Sequence, residues 1–133
     1  MLDHDEILRR VGPAVAESLS IDAEEVQASQ TFFADLGGDS LAWLDLSFRL
    51  DKEFRVRIPG WAAWQAVETD VEGRFTKQGF AALRALMPAS LIDRIQDRMP
   101  GPTFKELAEQ ITVDDIAGMV EVALESKKAV ASS

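Results

Sequence analysis

Ser40 is the residue whose surroundings most suggest chemistry. It lies in the segment 35-DLGGDSLAWLDLSFRLDKEF-54, after two glycines and an aspartate and at the start of an amphipathic pattern. A serine hydroxyl can act as a nucleophile, receive a covalent group, or simply cap a helix by accepting a hydrogen bond from its first turn. For the triplet GDS alone, a helix cap is the ordinary interpretation. The surrounding sequence has to decide between a cap and a modified hydroxyl.

The partners that a hydrolytic serine requires are absent from the sequence. The chain lacks the G-x-S-x-G elbow, and its one histidine, His4, lies in an N-terminal segment that we expect to be mobile and solvated. There is no cysteine, so the chain itself offers no thiol nucleophile, disulfide or thiolate metal ligand. Carboxylates are plentiful but show no clustered ligand spacing, which disfavours a metal site. The sequence therefore favours a protein on which enzymes act.

Helical periodicity, broken by glycine and proline, predicts an all-α fold around Ser40. Asp3 or Asp5 can cap a first helix whose apolar pattern continues to Leu19, and Pro13 should kink or interrupt it. Residues 20–39 are predicted to form a long ordered loop, with a short turn at residues 22–26 and apolar anchors at Phe32 and Phe33. Further helices are predicted at residues 40–54, 61–67, 76–87, 89–98, 103–111 and from residue 112 to about 126, followed by a frayed tail at 127–133.

The helix predicted for residues 40–54 carries two apolar stripes on opposite sides. Leu46, Leu50 and Phe54 form one stripe, with Trp43 near it, and Leu41, Leu44 and Phe48 form the other. A helix on the surface of a small bundle needs only one buried stripe. Either residues after Pro59 cover the second stripe, or that stripe meets partner proteins. In the second case nearby carboxylates would steer a basic partner, and the predicted docking residues are Leu41, Leu44, Asp45, Phe48, Asp51 and Glu53.

Composition narrows the classes of partner. The chain has 133 residues, 47% of them hydrophobic and 28% charged, which predicts a single domain with a modest core. Its net charge of −9 disfavours nucleic acid and anionic membrane surfaces and favours basic protein surfaces. No secretion signal and no apolar run long enough to insert into a membrane are visible, so a cytoplasmic location is expected.

Several segments, in order, resemble the acyl carrier protein family. The run IDAEEV, then FFADLGGDSL, then LDKEFRVRIP matches a pattern in which Asp-Ser-Leu opens the second helix and EF-x-x-x-IP closes it. The segment ITVDDIAGMVEVAL is similar to the last helix of that family. The resemblance covers about residues 3–59 and 103–126, and it implies a single carrier domain. That domain would be an up-down helical bundle in which residues 60–102 add short helices before the last one.

The resemblance implies that Ser40 is the attachment point for 4′-phosphopantetheine, transferred from coenzyme A. Gly38, Asp39 and Leu41 would belong to the same site, the glycine allowing close approach and the other two being recognised by the transferase. The arm ends in a thiol that holds acyl groups as thioesters, so the reactive sulfur is supplied from outside the chain. The implied partners are a phosphopantetheinyl transferase (holo-acyl carrier protein synthase) and acyl-loading, acyl-transfer or ketosynthase enzymes with basic docking surfaces. A monomer is expected, because the arm must reach several enzymes in turn.

Two departures from the family pattern point to a specialised carrier. Ala42, Arg49 and Lys52 make the second helix less acidic than in typical fatty-acid carriers, which suggests dedicated partner enzymes. The interval at residues 60–102 is also much longer than usual and rich in apolar side chains. It either enlarges the core or shapes an acyl cavity or a private docking surface, and its candidate residues are Trp61, Trp64, Phe80, Leu83, Leu91 and Ile95.

Three functions remain open from the sequence. The first is a specialised acyl carrier for fatty-acid, lipid or polyketide-type biosynthesis. The second is a peptidyl, aryl or aminoacyl carrier, since the form LGGDS is common in that branch whereas LDKEFRVRIP is more typical of the acyl branch. The third is a helical interaction module that keeps the bundle but is never modified.

Overall fold

The computed structural model describes the backbone of residues 2–59, 61–99 and 101–132, without the side chains of residues 61, 62 and 129–132. Within these ranges the regular secondary structure consists of helices, joined by turns and loops that contain three isolated bridge pairs, which confirms the all-α prediction. No described helix is both long enough and apolar enough to cross a membrane. The helices are α1 (His4–Leu19), a 3₁₀ turn (Ala23–Glu25), α2 (Ser40–Phe54), α3 (Trp61–Gln65), α4 (Lys77–Leu83), α5 (Ala89–Arg98), α6 (Phe104–Glu109) and α7 (Val113–Ser132).

Side-chain caps determine where several helices begin. Asp3, one of the two predicted caps of α1, accepts a hydrogen bond from the Glu6 amide at 2.8 Å. At α6, Thr103 and Glu106 form a reciprocal capping box. Hydrogen bonds from the Thr103 backbone and side chain hold the pKa of the Glu106 carboxyl below its ordinary value. These local bonds are why the predicted starts lie within a residue of the observed ones.

Two predicted features of the helices were wrong. α1 runs through Pro13 without interruption: the proline is exposed, whereas the neighbouring Val11 and Val15 are buried and stabilise the helix by tertiary packing. α4 ends four residues before the predicted end, because Pro88 disfavours helical geometry in the residue before it and the chain continues in turns. α7 continues to Ser132, within the segment for which fraying is predicted.

The bundle core is formed by α1, α2 and α7, and the inserted segment adds to it. α1 packs against both α2 and α7. The described side chains of the insertion candidates are buried, with no more than 6% of their surface exposed. These are Trp64, Phe80, Leu83, Leu91 and Ile95; the side chain of Trp61 lies outside the described residues, as does Gly60. The inserted helices therefore enlarge the core.

A buried ion pair ties the inserted segment to the last helix. Arg94 on α5 donates to the carboxylate of Asp115 on α7 at 2.6 Å and to the carbonyl of Gln110 at 3.2 Å. Asp115 also accepts from the Thr112 amide at 2.9 Å and is only 3% exposed. The same carboxylate thus caps α7 and anchors α5.

His4 is not the mobile, solvated residue that the sequence suggested. It opens α1, with its imidazole hydrogen-bonded to Asp114 at 2.7 Å and to Glu121, both on α7. These two hydrogen bonds, that of Asp114 first, raise the pKa of the imidazole to about 9. His4 is therefore cationic at neutral pH and joins the beginning of the described chain to α7.

Candidate functional site

The loop before α2 is built around reciprocal hydrogen bonds. The Thr31 amide donates to the Asp35 carboxylate and the Asp35 amide donates to the Thr31 hydroxyl, both at 2.9 Å. Gly37 adopts a φ of 74°, a left-handed conformation that favours glycine. The Gly38 amide donates to the Phe32 carbonyl, and a Cβ at Gly38 would lie 2.6 Å from the Phe32 ring. Both glycines are therefore needed to bring the chain to Ser40.

The same loop is fixed to the start of α7. The Phe32 amide donates to the Ile111 carbonyl at 2.9 Å, and Thr31 forms an isolated bridge with Thr112. The Phe32 ring is fully buried and lies 5.4 Å, centroid to centroid, from that of Trp43 in the first turn of α2. The start of α2 is held from both sides, so the position of Ser40 is set by the core.

Asp39, rather than Ser40, caps α2. The Asp39 carboxylate accepts a hydrogen bond from the Ala42 amide at 2.8 Å, and Ser40 is the first residue of the helix itself. Ser40 is exposed, and its hydroxyl makes no hydrogen bond with the described residues. Leu41, next to it, is 74% exposed. The serine therefore does not serve as a cap, and its oxygen is accessible to an enzyme.

The two stripes of α2 have separate environments. Trp43, Leu46, Leu50 and Phe54 are buried in the core. Leu44 and Phe48, on the opposite face with Leu41, are 47% and 63% exposed. No described part of the inserted segment covers this second stripe. The interpretation that α2 is sandwiched between two layers was wrong, and α2 presents a bare apolar face that begins beside Ser40.

The carboxylates predicted to ring this face are largely engaged within the chain. Asp45 pairs with Arg49 at 2.7 Å, and this hydrogen bond raises the pKa of the guanidinium. Asp51 accepts from the amide of Ile58 at 2.7 Å and so holds the turn after α2. Arg49 also pairs with Glu17 on α1.

Glu53 lies apart from the exposed stripe. It pairs with Arg10 of α1 at 2.8 Å, on the side of α2 that faces the bundle. The exposed face beside the stripe carries both signs of charge, with Asp45 opposed by Arg49 and Lys52. The face therefore offers apolar area without a net charge of one sign.

Trp64, one of the insertion candidates, packs against the buried side of α2. Trp64 contacts Trp43 with ring centroids 4.8 Å apart, and Trp64 in turn lies 6.2 Å from the ring of Phe104. The described residues enclose a cavity of about 660 Å³ at the end of α2 and one of about 620 Å³ between α1 and α7. Neither cavity is lined by an insertion candidate whose side chain is described. The sequence did not single out Trp43 as the link between α2 and the insertion. Its place on the buried stripe, three residues after Ser40, was the available signal.

Among the described residues, no group of three His, Asp or Glu side chains could hold a metal ion. The site offers instead an accessible hydroxyl, a rigid loop and the N-terminus of a 15-residue helix. Such a terminus favours a bound or attached anion, because its free amides and the helix dipole are both positive.

Comparisons with known proteins agree with this geometry. The family model described as a phosphopantetheine attachment site matches residues 9–65, which contain α2 and Ser40. An acyl carrier protein of Prochlorococcus marinus (strain MIT 9515) is 39% identical over 62 residues, covering 47% of this chain and 78% of that protein. No solved structure matches the chain. The chain belongs to the acyl carrier protein family, whose members carry a 4′-phosphopantetheine group.

Proposed function

We propose that this protein carries acyl groups as thioesters on a 4′-phosphopantetheine arm attached to the hydroxyl of Ser40. The observation that carries the proposal is the division of roles at the start of α2: Asp39 caps the helix, and Ser40 is left exposed with no hydrogen bond to the described residues. Gly38 fits the attached group, because the loop backbone packs against Phe32 without a side chain beside the serine.

The attachment chemistry is a phosphoryl transfer on Ser40. A phosphopantetheinyl transferase would remove the hydroxyl proton, and the oxygen would attack the β-phosphate of coenzyme A. The new serine–phosphate bond forms as the bond to adenosine 3′,5′-bisphosphate breaks. The resulting phosphodiester anion would lie at the N-terminus of α2, where the helix dipole stabilises it. The chain itself supplies the oxygen and the anion site, and we propose that it is not itself an enzyme.

We further propose that α2 docks partner enzymes through Leu41, Leu44 and Phe48. Three exposed large apolar side chains on one face are unusual for a surface helix unless a partner covers them. Because the nearby charges are mixed, the partners would be dedicated enzymes that match this face, including acyl-loading and acyl-transfer or ketosynthase enzymes. Of the predicted carboxylates, only Asp45 and Asp51 flank the stripe.

The pathway that we favour is specialised fatty-acid, lipid or polyketide-type biosynthesis. The chain would act there as one carrier domain, and we propose that it is a monomer in the cytoplasm. The core cluster supports one domain, because it joins residues of the bundle to residues of the segment 60–102. That segment would act chiefly as an enlarged core, since its described candidates are buried and line neither cavity. Ala85 and Leu86 of the segment do line the cavity at the end of α2. The peptidyl, aryl or aminoacyl carrier remains the alternative, to be distinguished by which enzyme loads the thiol.

The test is intact mass after incubation with coenzyme A and a broad-specificity phosphopantetheinyl transferase. We expect the wild-type chain to gain one phosphopantetheine group and Ser40→Ala to gain none. Ser90→Ala is the matched control, since Ser90 is also an exposed serine at the start of a helix. Modification of Ser40→Ala would contradict the proposal. So would an unmodified wild type in a tube where an ordinary carrier is modified.

A further inference from the structure

A groove of about 660 Å³ lies at the end of α2 away from Ser40, where the chain after the helix meets α7. Its volume is within the range of small-ligand sites, about 300–1,000 Å³. The rim carries Arg55, Arg57 and Lys127. The apolar lining consists of Val56, Pro59, Leu86, Met119, Val122 and Ala123.

The positive charges of this rim are not neutralised within the described residues. Arg55 and Arg57 form no ion pair or side-chain hydrogen bond there. Lys127 donates to the backbone carbonyl of Arg55 at 2.8 Å, which leaves its charge without a carboxylate partner. Five other arginines of the chain pair with carboxylates, namely Arg10, Arg49, Arg74, Arg84 and Arg94. Arg9 and Arg98 are also unpaired among the described residues, but they do not line the groove. In a chain of net charge −9, three cations without carboxylate partners beside one apolar groove favour an anionic ligand there.

The backbone that presents the rim is fixed. Arg55 ends α2 in a left-handed conformation, with φ of 55°, and its carbonyl is held by Lys127. Ile58, just beyond the rim, donates its amide to Asp51 at 2.7 Å. A groove whose edge is held by hydrogen bonds loses little conformational freedom when a ligand binds.

We propose that this groove binds a long-chain carboxylate, with its head group between Arg55 and Arg57 and its alkyl chain along the apolar lining. Guanidinium groups match a carboxylate through paired, charge-assisted hydrogen bonds, and the lining removes methylene groups from water. A cationic or neutral ligand would leave the rim unpaired. The anionic head and apolar tail are therefore both required by the lining.

The groove is independent of the Ser40 site. α2 has 15 residues, so its two ends are about 22 Å apart at a rise of about 1.5 Å per residue. The ligand proposed here is free in solution and forms no covalent bond. Binding must therefore persist in Ser40→Ala, which separates failure of this proposal from failure of the carrier proposal.

The first experiment titrates the Ser40→Ala chain with octanoate, decanoate and dodecanoate below their micelle-forming concentrations. Affinity is measured by calorimetry and by the methyl signal of Met119, which lines the groove, in protein labelled at methionine methyl groups. We expect affinity to rise two- to fourfold per added methylene, the upper value corresponding to full burial. Dodecanol and dodecyltrimethylammonium should bind at least tenfold more weakly than dodecanoate. Equal binding of the three dodecyl compounds, or no binding of dodecanoate, would overturn the proposal.

The second experiment compares two double variants with the same change in net charge. Arg55→Gln/Arg57→Gln should weaken dodecanoate binding about tenfold or more, because it removes the charge-assisted hydrogen bonds. Arg9→Gln/Arg98→Gln alters two exposed arginines that do not line the groove, and it should leave affinity within twofold. Equal losses in both variants would show a general charge effect and contradict a defined site. If only an acidic amphipathic peptide bound in an Arg55-dependent way, the groove would belong to a protein partner and the proposal would be wrong.

Discussion

Removal of the Asp115 carboxylate should destabilise the protein far more than removal of a surface carboxylate in a similar ion pair. Asp115 pairs with Arg94 at 2.6 Å and is 3% exposed. Asp93 pairs with Arg84 at the same distance, but both members of this pair lie at the surface. The Asp93 side chain is 64% exposed and that of Arg84 is 41% exposed. The two pairs differ in burial and not in length, so they separate the effect of desolvation from that of contact.

The magnitude follows from what each carboxylate holds. Breaking a buried pair costs about 3–5 kcal/mol when the remaining charge stays buried. In Asp115→Ala the remaining Arg94 side chain is 35% exposed and can regain water, which lowers this cost. The cap on the Thr112 amide is lost as well, at about 1 kcal/mol. We expect a total of about 2–4 kcal/mol, against about 0–1 kcal/mol for Asp93→Ala.

Arg94→Met should cost at least as much as Asp115→Ala. It leaves the nearly inaccessible carboxylate of Asp115 without its guanidinium, and the charge has little access to water. The order of stabilities is therefore predicted to be Asp93→Ala, then Asp115→Ala, then Arg94→Met, from most to least stable.

Urea unfolding followed by circular dichroism is the assay. With a slope of about 1–3 kcal/mol per molar urea for a small domain, Asp115→Ala should lower the midpoint by about 1 M or more. Asp93→Ala should move it by less than about half that amount. Midpoints of Asp115→Ala and Asp93→Ala that agree within error would refute the reasoning. Burial would then not govern how much an ion pair contributes to the free energy of unfolding.

Three further predictions concern the ends and faces of the bundle. Because the pKa of His4 is raised to about 9, the stabilisation of the fold by the protonated imidazole should be complete below about pH 6.5, fall as pH rises and vanish above about pH 9. The side chain is 37% exposed, so the free energies of unfolding of wild type and His4→Gln, measured by thermal melts, should differ by only about 1 kcal/mol at pH 6 and coincide at pH 10. Gly118→Ala places a Cβ 2.7 Å from the Pro88 ring and should cost about 1–3 kcal/mol in urea unfolding, whereas a neutral result would show that the α5 turn can move. Leu41→Ser and Phe48→Ser should change stability by less than about 0.5 kcal/mol yet weaken binding of a partner acyltransferase, and a large loss of stability would place the exposed stripe in the core.

Local sequence signals were sufficient for α2 and much of the fold. The limits of residues 40–54 followed from the Asp39–Ser40 start and the break at Pro59, and the structure has the same limits. The two-stripe pattern correctly indicated a face with a separate role. Periodicity could not show which stripe is covered, because that depends on where the inserted helices pack.

Most of the missed features depend on contacts between distant residues, whereas the early end of α4 had a local cause in Pro88. His4 looked solvated because its partners lie more than a hundred residues away along the chain. The burial of the insertion likewise depends on tertiary contacts. The choice between an enlarged core and an acyl cavity is of this kind too, since both use apolar residues at helical spacing.

The pairing of α1 with α7 has a consequence for how the protein matures during synthesis. α1 leaves the ribosome well before α7, the helix against which it packs. The loop before α2 likewise waits for the bridge between Thr31 and Thr112. Contacts so distant in sequence make closure of the bundle a late event. Until α7 emerges, α1 and the buried side of α2 lack part of their cover. A phosphopantetheinyl transferase that recognises the folded loop would then act only after α7 has emerged.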